Sequence, residues 1–196
     1  MGSAEFRFKE IEHKYVVGDA FDLPRFRDAL AALGPDRTSA IRVRDRYYLI
    51  EGSLERRFVI RHRFDAELHH LTIKTLESDT EIRDEINLDL GQHAGDQTAQ
   101  VEAFLTRLGI QWSGTVYKDV NVWYFPDCEV VHYLASTDAR SVRCVEFEAT
   151  RRESLGDALA IVDRFERATG FDRLARSRLS LPQLLFPELA EKLAGA

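Results

Sequence analysis

The chain has 196 residues, 44% of them hydrophobic and 31% charged, which suits a soluble globular protein long enough to hold a sizeable core in one domain. Its net charge of −6, from 33 acidic and 27 basic residues, argues against a general nucleic-acid-binding surface, although a local basic pocket inside an acidic shell stays compatible with it. No stretch approaches the roughly 18 apolar residues of a membrane span, nothing at the start resembles a signal peptide, and Cys128 and Cys144 lack metal-ligand spacing, so a cytoplasmic protein with reduced core thiols is expected.

A first strand is predicted over 5–17, with Phe6, Phe8, Glu10, Glu12 and Lys14 on one side. Asp22 then caps a helix whose apolar stripe is Leu23, Phe26, Leu30 and Leu33, ended by Gly34-Pro35. Strands follow over 40–50, 56–65, 68–77 and 81–90, joined by short connections including a turn at Ser78-Asp79, with His69-His70 at another turn. A second helix spans 97–108, with Val101, Phe104, Leu105 and Leu108 on one stripe. Three more strands are expected over 115–125, 128–135 and 141–150. From about 154 the tail is helical: Leu155 to Ala168, then a segment over 181–194 capped by Ser180 and interrupted at Pro187. No linker or internal repeat divides residues 1–196. The expected fold is therefore α+β, an eight-stranded antiparallel sheet with peripheral helices. Closing that sheet into a barrel would hide its edges, leaving a polar lumen and an exterior covered by helices.

The chemistry is carried by charges at alternate positions. In a strand, residues i, i+2 and i+4 share a face, so Glu10, Glu12 and Lys14 point the same way. The pairs Arg61/Arg63, Thr72/Lys74, Arg83/Glu85 and Glu146/Glu148 repeat the pattern, which suits a multiply charged ligand. If the first strand lies near the 141–150 strand, Glu10, Glu12, Glu146 and Glu148 form two adjacent pairs that repel unless cations join them. Oxygen ligands without cysteine or histidine favour Mg²⁺ or Mn²⁺. Lys14, Arg61, Arg63, Lys74, Arg83 and Lys118 supply the basic set: arginine clamps phosphoryl oxygens with two parallel bonds, and lysine adds a mobile point charge. Arg42, Arg44 and Arg46 alternate too, but rank second, since theirs could be the outer face. The histidines do not organise into a base, and there is no phosphate-binding GxxxxGK[ST] loop or GxSxG elbow.

In order, these residues resemble the motifs of the CYTH superfamily, the triphosphate tunnel metalloenzymes, which include class IV adenylyl cyclases, thiamine triphosphatases and inorganic triphosphatases. Glu10-Ile11-Glu12-His13-Lys14 is similar to ExExK, Asp45-Arg46-Tyr47-Tyr48 to D-x-Y-Y, and Arg61-His62-Arg63 to R-x-R. Leu71-Thr72-Ile73-Lys74, Arg83-Asp84-Glu85, Val145-Glu146-Phe147-Glu148 and Ser180 to Leu185 continue the series, from about residue 5 to 186. The resemblance implies an eight-stranded tunnel. Glu10, Glu12, Glu146 and Glu148 would bind metal, Lys14, Arg61, Arg63, Lys74, Arg83 and Lys118 would bind phosphate, and Glu85 would orient them. It implies metal-dependent hydrolysis of an inorganic or organic triphosphate by a monomer or homodimer, with no nucleic-acid or membrane partner. The alternatives are a cyclase converting ATP to cyclic AMP and a non-catalytic sensor of polyphosphate or a nucleotide. Two departures stand out. Val120 occupies the arginine position of the family's K-x-R, and the nearest acid before the final pair is Glu129 rather than an aspartate.

Overall fold

The computed structural model describes residues 8–76, 82–151 and 153–194. In chain order these form β1 (Lys9–Val17), α1 (Leu23–Ala32), β2 (Arg37–Ile50), β3 (Phe58–Phe64), β4 (His69–Thr75), β5 (Ile82–Asp89), α2 (Thr98–Arg107), β6 (Ile110–Tyr124), β7 (Cys128–Ser136), β8 (Ser141–Ala149), α3 (Leu155–Thr169), α4 (Leu181–Leu185) and α5 (Pro187–Ala194). The expected strand residues 5–7 and the expected turn at Ser78-Asp79 lie outside the described residues.

The eight strands close into an antiparallel barrel in the order β1-β5-β4-β3-β2-β6-β7-β8. Closure depends on β1, which divides its ladder between two neighbours. Its first residues pair with β5 (Glu10 with Arg83), and the rest pair with β8 (Glu12 with Glu148, Lys14 with Glu146). Strand alternation then sends Glu10, Glu12 and Lys14 into the lumen, while Ile11, His13 and Tyr15 are buried on the other face.

Local chemistry sets the helix ends. The Asp22 side chain accepts from the Arg25 amide at 3.0 Å, and Ser180 with Gln183 forms a reciprocal capping box on α4. Pro187 interrupts the last segment as expected: α4 ends at Leu185, and Pro187 begins a separate helix after Phe186. Helices α1 and α3 bury Phe26, Leu30, Val162 and Phe165 with Ile11, Tyr15, Trp123 and Phe147. Val101 and Leu105 of α2 pack on Tyr48 and Ile60. The helical cover is incomplete, a departure from expectation: on β4 and β5 the cross-strand pair Ile73 and Ile86 and the neighbouring Leu88 remain exposed. The expected turn at His69-His70 is also displaced. His69 begins β4, paired with Phe64, and is buried, because Asp65 accepts from the Glu67 and Leu68 amides and places the turn earlier.

The last two helices plug one end of the barrel. Leu181, Leu185, Leu189 and Leu193 form a single cluster with Val43, Tyr47, Leu49 and Val116 of β2 and β6. Gly114 permits this approach: a Cβ there would lie 2.6 Å from Phe186 Cζ and 2.7 Å from Trp112 Cη2. Gly114→Ala is therefore expected to destabilise the protein by about 1–3 kcal/mol through overpacking. Urea unfolding checks this, and an unchanged midpoint would show that the plug has slack.

Candidate active site in the barrel lumen

The lumen encloses a cavity of about 300 Å³. All the basic residues singled out in the sequence, Lys14, Arg61, Arg63, Lys74, Arg83 and Lys118, line it together with Glu10, Glu12, Glu85, Glu146 and Glu148. Arg42, Arg44 and Arg46 point the other way and pair with Asp119, Asp96 and Glu102 outside.

Acids and bases interleave around the wall. Lys74 Nζ bridges Glu10 Oε1 at 2.9 Å and Glu85 Oε2 at 2.8 Å. Lys14 Nζ bridges Glu12 Oε1 at 3.0 Å and Glu146 Oε1 at 3.1 Å. Arg61 Nη2 donates to Glu85 Oε1 at 3.1 Å and to Thr72 Oγ1 at 3.3 Å. Arg83 is held by the Arg178 carbonyl at 3.1 Å, and Glu146 accepts from the Tyr133 hydroxyl at 2.6 Å.

Asp45 is the residue whose part the sequence did not reveal. It is fully buried and accepts two bonds from Arg63, at 2.7 and 2.9 Å, while Lys118 Nζ stands 2.7 Å from its second oxygen. Burial alone would raise its pKa, but Arg63 and Lys118 outweigh that and hold the carboxyl well below its usual range. The detectable signal was parity: Val43, Asp45 and Tyr47 alternate with the outward arginines of β2. Lys118, which sequence alone could not separate from an exposed edge, turns into the lumen with its side chain 9% exposed. Burial and the Arg63 charge bring its pKa down to about 8, against the pull of Asp45.

The glutamates divide into two electrostatic states. Glu12 is drawn down to about 2, since Lys14, Lys74 and Arg83 outweigh its burial. Glu10 is pushed up to about 8 by burial and by the charges of Glu12 and Glu85, against Lys74. Glu148 is raised by burial and by Glu10, Glu129, Glu12 and Glu85, and no cation pairs with it among the described residues. Glu129, in register with Glu148, is raised as well, again mainly by burial. Buried, mutually repelling carboxylates of this kind, with Glu10 Oε2 receiving no hydrogen bond among the described residues, fit a hard divalent cation.

The linkage has a definite sign. Between the ordinary glutamate value and about 8, the folded protein keeps a proton on Glu10 that the unfolded chain has lost. Glu10's contribution is thus fully present at acid pH and is lost as pH rises through about 8. In chelator, stability should fall over that range by up to about 1.4 kcal/mol per pH unit for each such proton. Glu10→Gln should remove its share of the slope. Urea midpoints at pH 5 and 8.5 measure this, and a difference between variant and wild type that is the same at both pH values would refute it.

One trio of ligand atoms among the described residues lies within 4.8 Å of one another: His13, Asp163 and Glu166, outside the barrel between β1 and α3. Its donor set is compatible with a divalent cation. The guanidinium of Arg176 already stands there, 2.9 Å from Glu166 and 3.4 Å from Asp163. Glu166 also takes His13 Nδ1 at 2.7 Å and the Tyr15 hydroxyl at 2.5 Å.

A closed eight-stranded barrel lined by interleaved basic and acidic side chains is the fold expected from the order of the sequence motifs. No family model matches the sequence, and no curated protein sequence does. Solved structures do match. The PH1012 protein of Pyrococcus horikoshii is 17% identical with a TM-score of 0.65, covering 90% of this chain and 99% of its own. A candidate adenylate cyclase of Bacillus halodurans is 15% identical with a TM-score of 0.57, covering 91% and 99%. A chain of the Mediator head module of Schizosaccharomyces pombe is 13% identical with a TM-score of 0.57, covering 86% and 98%. The protein shares the fold of these structures, a closed eight-stranded antiparallel barrel. Among the described residues, no helix is long and apolar enough to cross a membrane.

Proposed function

We propose that this protein is a divalent-metal-dependent hydrolase of a triphosphate-containing substrate. The observation that carries the reading is the convergence, within one closed lumen, of six cations spread from Lys14 to Lys118 and the four glutamates Glu10, Glu12, Glu146 and Glu148. Glu10, Glu12, Glu146 and Glu148 would hold Mg²⁺ or Mn²⁺, which when bound draws charge from phosphoryl oxygens and lowers the pKa of a water. Arg61, Arg63, Lys74, Arg83, Lys14 and Lys118 bind and orient the phosphate chain, and fixed cations aimed at oxygens that gain charge supply the main rate term. Glu85 positions Arg61 and Lys74, and Asp45 positions Arg63 and Lys118. The whole chain acts as one such domain, free of nucleic acid and membrane.

The test is a panel of tripolyphosphate, thiamine triphosphate and ATP with each metal, the products being identified by mass. Orthophosphate release supports the hydrolase, and cyclic AMP from ATP would replace it with a cyclase. Binding without turnover would make it a sensor, a second reading favoured by Val120, which leaves the lumen one cation short of the family pattern. Within the hydrolase, Arg63→Lys keeps the charge but cannot make both bonds to Asp45. We expect kcat/KM to fall about tenfold or more. Wild-type kinetics in a stably folded variant would remove Arg63 from the site.

A further inference from the structure

The charges do not surround the lumen evenly. They occupy the arc formed by β8, β1, β5, β4 and β3, bounded by Asp45 and Lys118. The remaining arc, where β2, β6 and β7 lie side by side beyond Asp45 and Lys118, turns mainly hydrocarbon into the same cavity, with Glu129 of β7 at its margin beside Glu148. Ile41 pairs across the strands with Val120, and Val122 pairs with Val131. Val43 and the Tyr124 ring complete this wall, and all six line the cavity.

An inorganic polyphosphate carries charged oxygens on every side. Seated here, it would press some of them against side chains that offer no donor, which costs their hydration without return. A nucleoside meets the same difficulty with its base and sugar. Of the polar groups nearest the wall, Glu67 already accepts from the Ser39 hydroxyl at 2.6 Å and from the Tyr124 hydroxyl at 2.7 Å, and Glu129, across the strands from Tyr124 and Glu148, is an acid that repels phosphate when ionised. The wall is instead complementary to a ligand with one charged flank and one apolar flank.

We infer that the preferred substrate is an organic triphosphate or diphosphate whose organic group is apolar and uncharged, lying on the Ile41, Val43, Val120, Val122 and Val131 wall while the phosphates face the basic arc. This rests on the hydrolase reading and narrows it. Val120, which looked like a lost phosphate clamp, becomes a specificity-determining residue.

Calorimetric titration with Mg²⁺ present, using phenyl triphosphate, tripolyphosphate and ATP as probes, tests the inference. The phenyl ester should bind at least about tenfold tighter than tripolyphosphate, the return for burying one small apolar group, and tighter than ATP. Val120→Arg should reverse the preference toward tripolyphosphate. Because a new charge in the lumen could prevent folding, Val131→Thr, which keeps the shape and adds a hydroxyl, serves as a second variant, and it should cut the ester's advantage several-fold. Equal binding of ester and inorganic chain, tighter binding of either tripolyphosphate or ATP, or a ratio unmoved in both variants would overturn the inference while leaving phosphate binding intact. Failure of all three probes to bind would overturn the hydrolase reading itself.

Discussion

Asp45→Asn is expected to cost about 3 kcal/mol of folding stability, because it leaves two largely enclosed cations, 16% and 9% exposed, without their counter-ion. Arg63 and Lys118 both close on that carboxylate, at 2.7 Å each, and Asp45 has no exposure through which water could replace it. Asparagine keeps the volume, so the loss is electrostatic rather than a cavity effect. Lys118, already lowered to about 8 with the carboxylate present, would drop further without it, so the variant should lose positive charge from the lumen near neutral pH. Two measurements separate this from generic damage: the urea midpoint should fall, and added tripolyphosphate should restore part of it by supplying the missing negative charge. A midpoint within about 1 kcal/mol of wild type would mean that water or Glu129 compensates, and Asp45 would cease to be the anchor of this side of the lumen.

The second large effect lies outside the barrel. Glu166→Ala should cost about 3 kcal/mol or more, since one carboxylate with 1% exposure holds three groups, two from β1 and one from the segment after α3. His13 and Tyr15 come from the outward face of β1, and Arg176 from the segment leading to α4, so the network ties α3 to the strand whose inward residues line the lumen. Because Ser177 donates its amide to the Lys14 carbonyl at 2.7 Å, loosening Arg176 should also loosen the approach to the plug. Chelator distinguishes the two chemistries open to the trio: a network neutralised by Arg176 is indifferent to it, whereas a bound cation is not. A Glu166→Ala protein with wild-type stability would show that apolar packing of Phe165 and Val162 suffices to dock α3.

Much of this could be read before the fold was seen, for a physical reason. Strand alternation is a strict period of two, so charged residues at Glu10, Glu12 and Lys14 or at Arg61 and Arg63 announce a shared face wherever the strand goes. Side chains whose roles depend on partners far along the chain were less legible. Asp45 looks like one acid among outward arginines until β3 and β6 bring Arg63 and Lys118 to it. His13 gave no sign that it faces Glu166, since that contact joins β1 to α3. The apolar wall was hidden because Ile41, Val120 and Val131 sit in ordinary strand sequence, and only the β2-β6-β7 adjacency shows that they share a lumen with the charges. The exposed Ile73 and Ile86 were missed for the opposite reason: an apolar outer face suggests a covering helix, and none of the described helices packs there.

The division of β1 between two neighbours also sets the order in which the molecule can be made. Residue 12 must wait for residue 148 before its ladder exists, and the leucines that stop the barrel's end come later still. Hairpins such as β3-β4 and β7-β8 can form as they emerge, but the ring stays an open, twisted sheet with two raw edges until nearly the entire polypeptide is available. Folding should accordingly be slow for a domain of this size, as expected when the decisive contacts span most of the chain. Interruption during synthesis would leave those edges free to pair with other chains, with the lumenal charges still in water and the hydrocarbon arc uncovered.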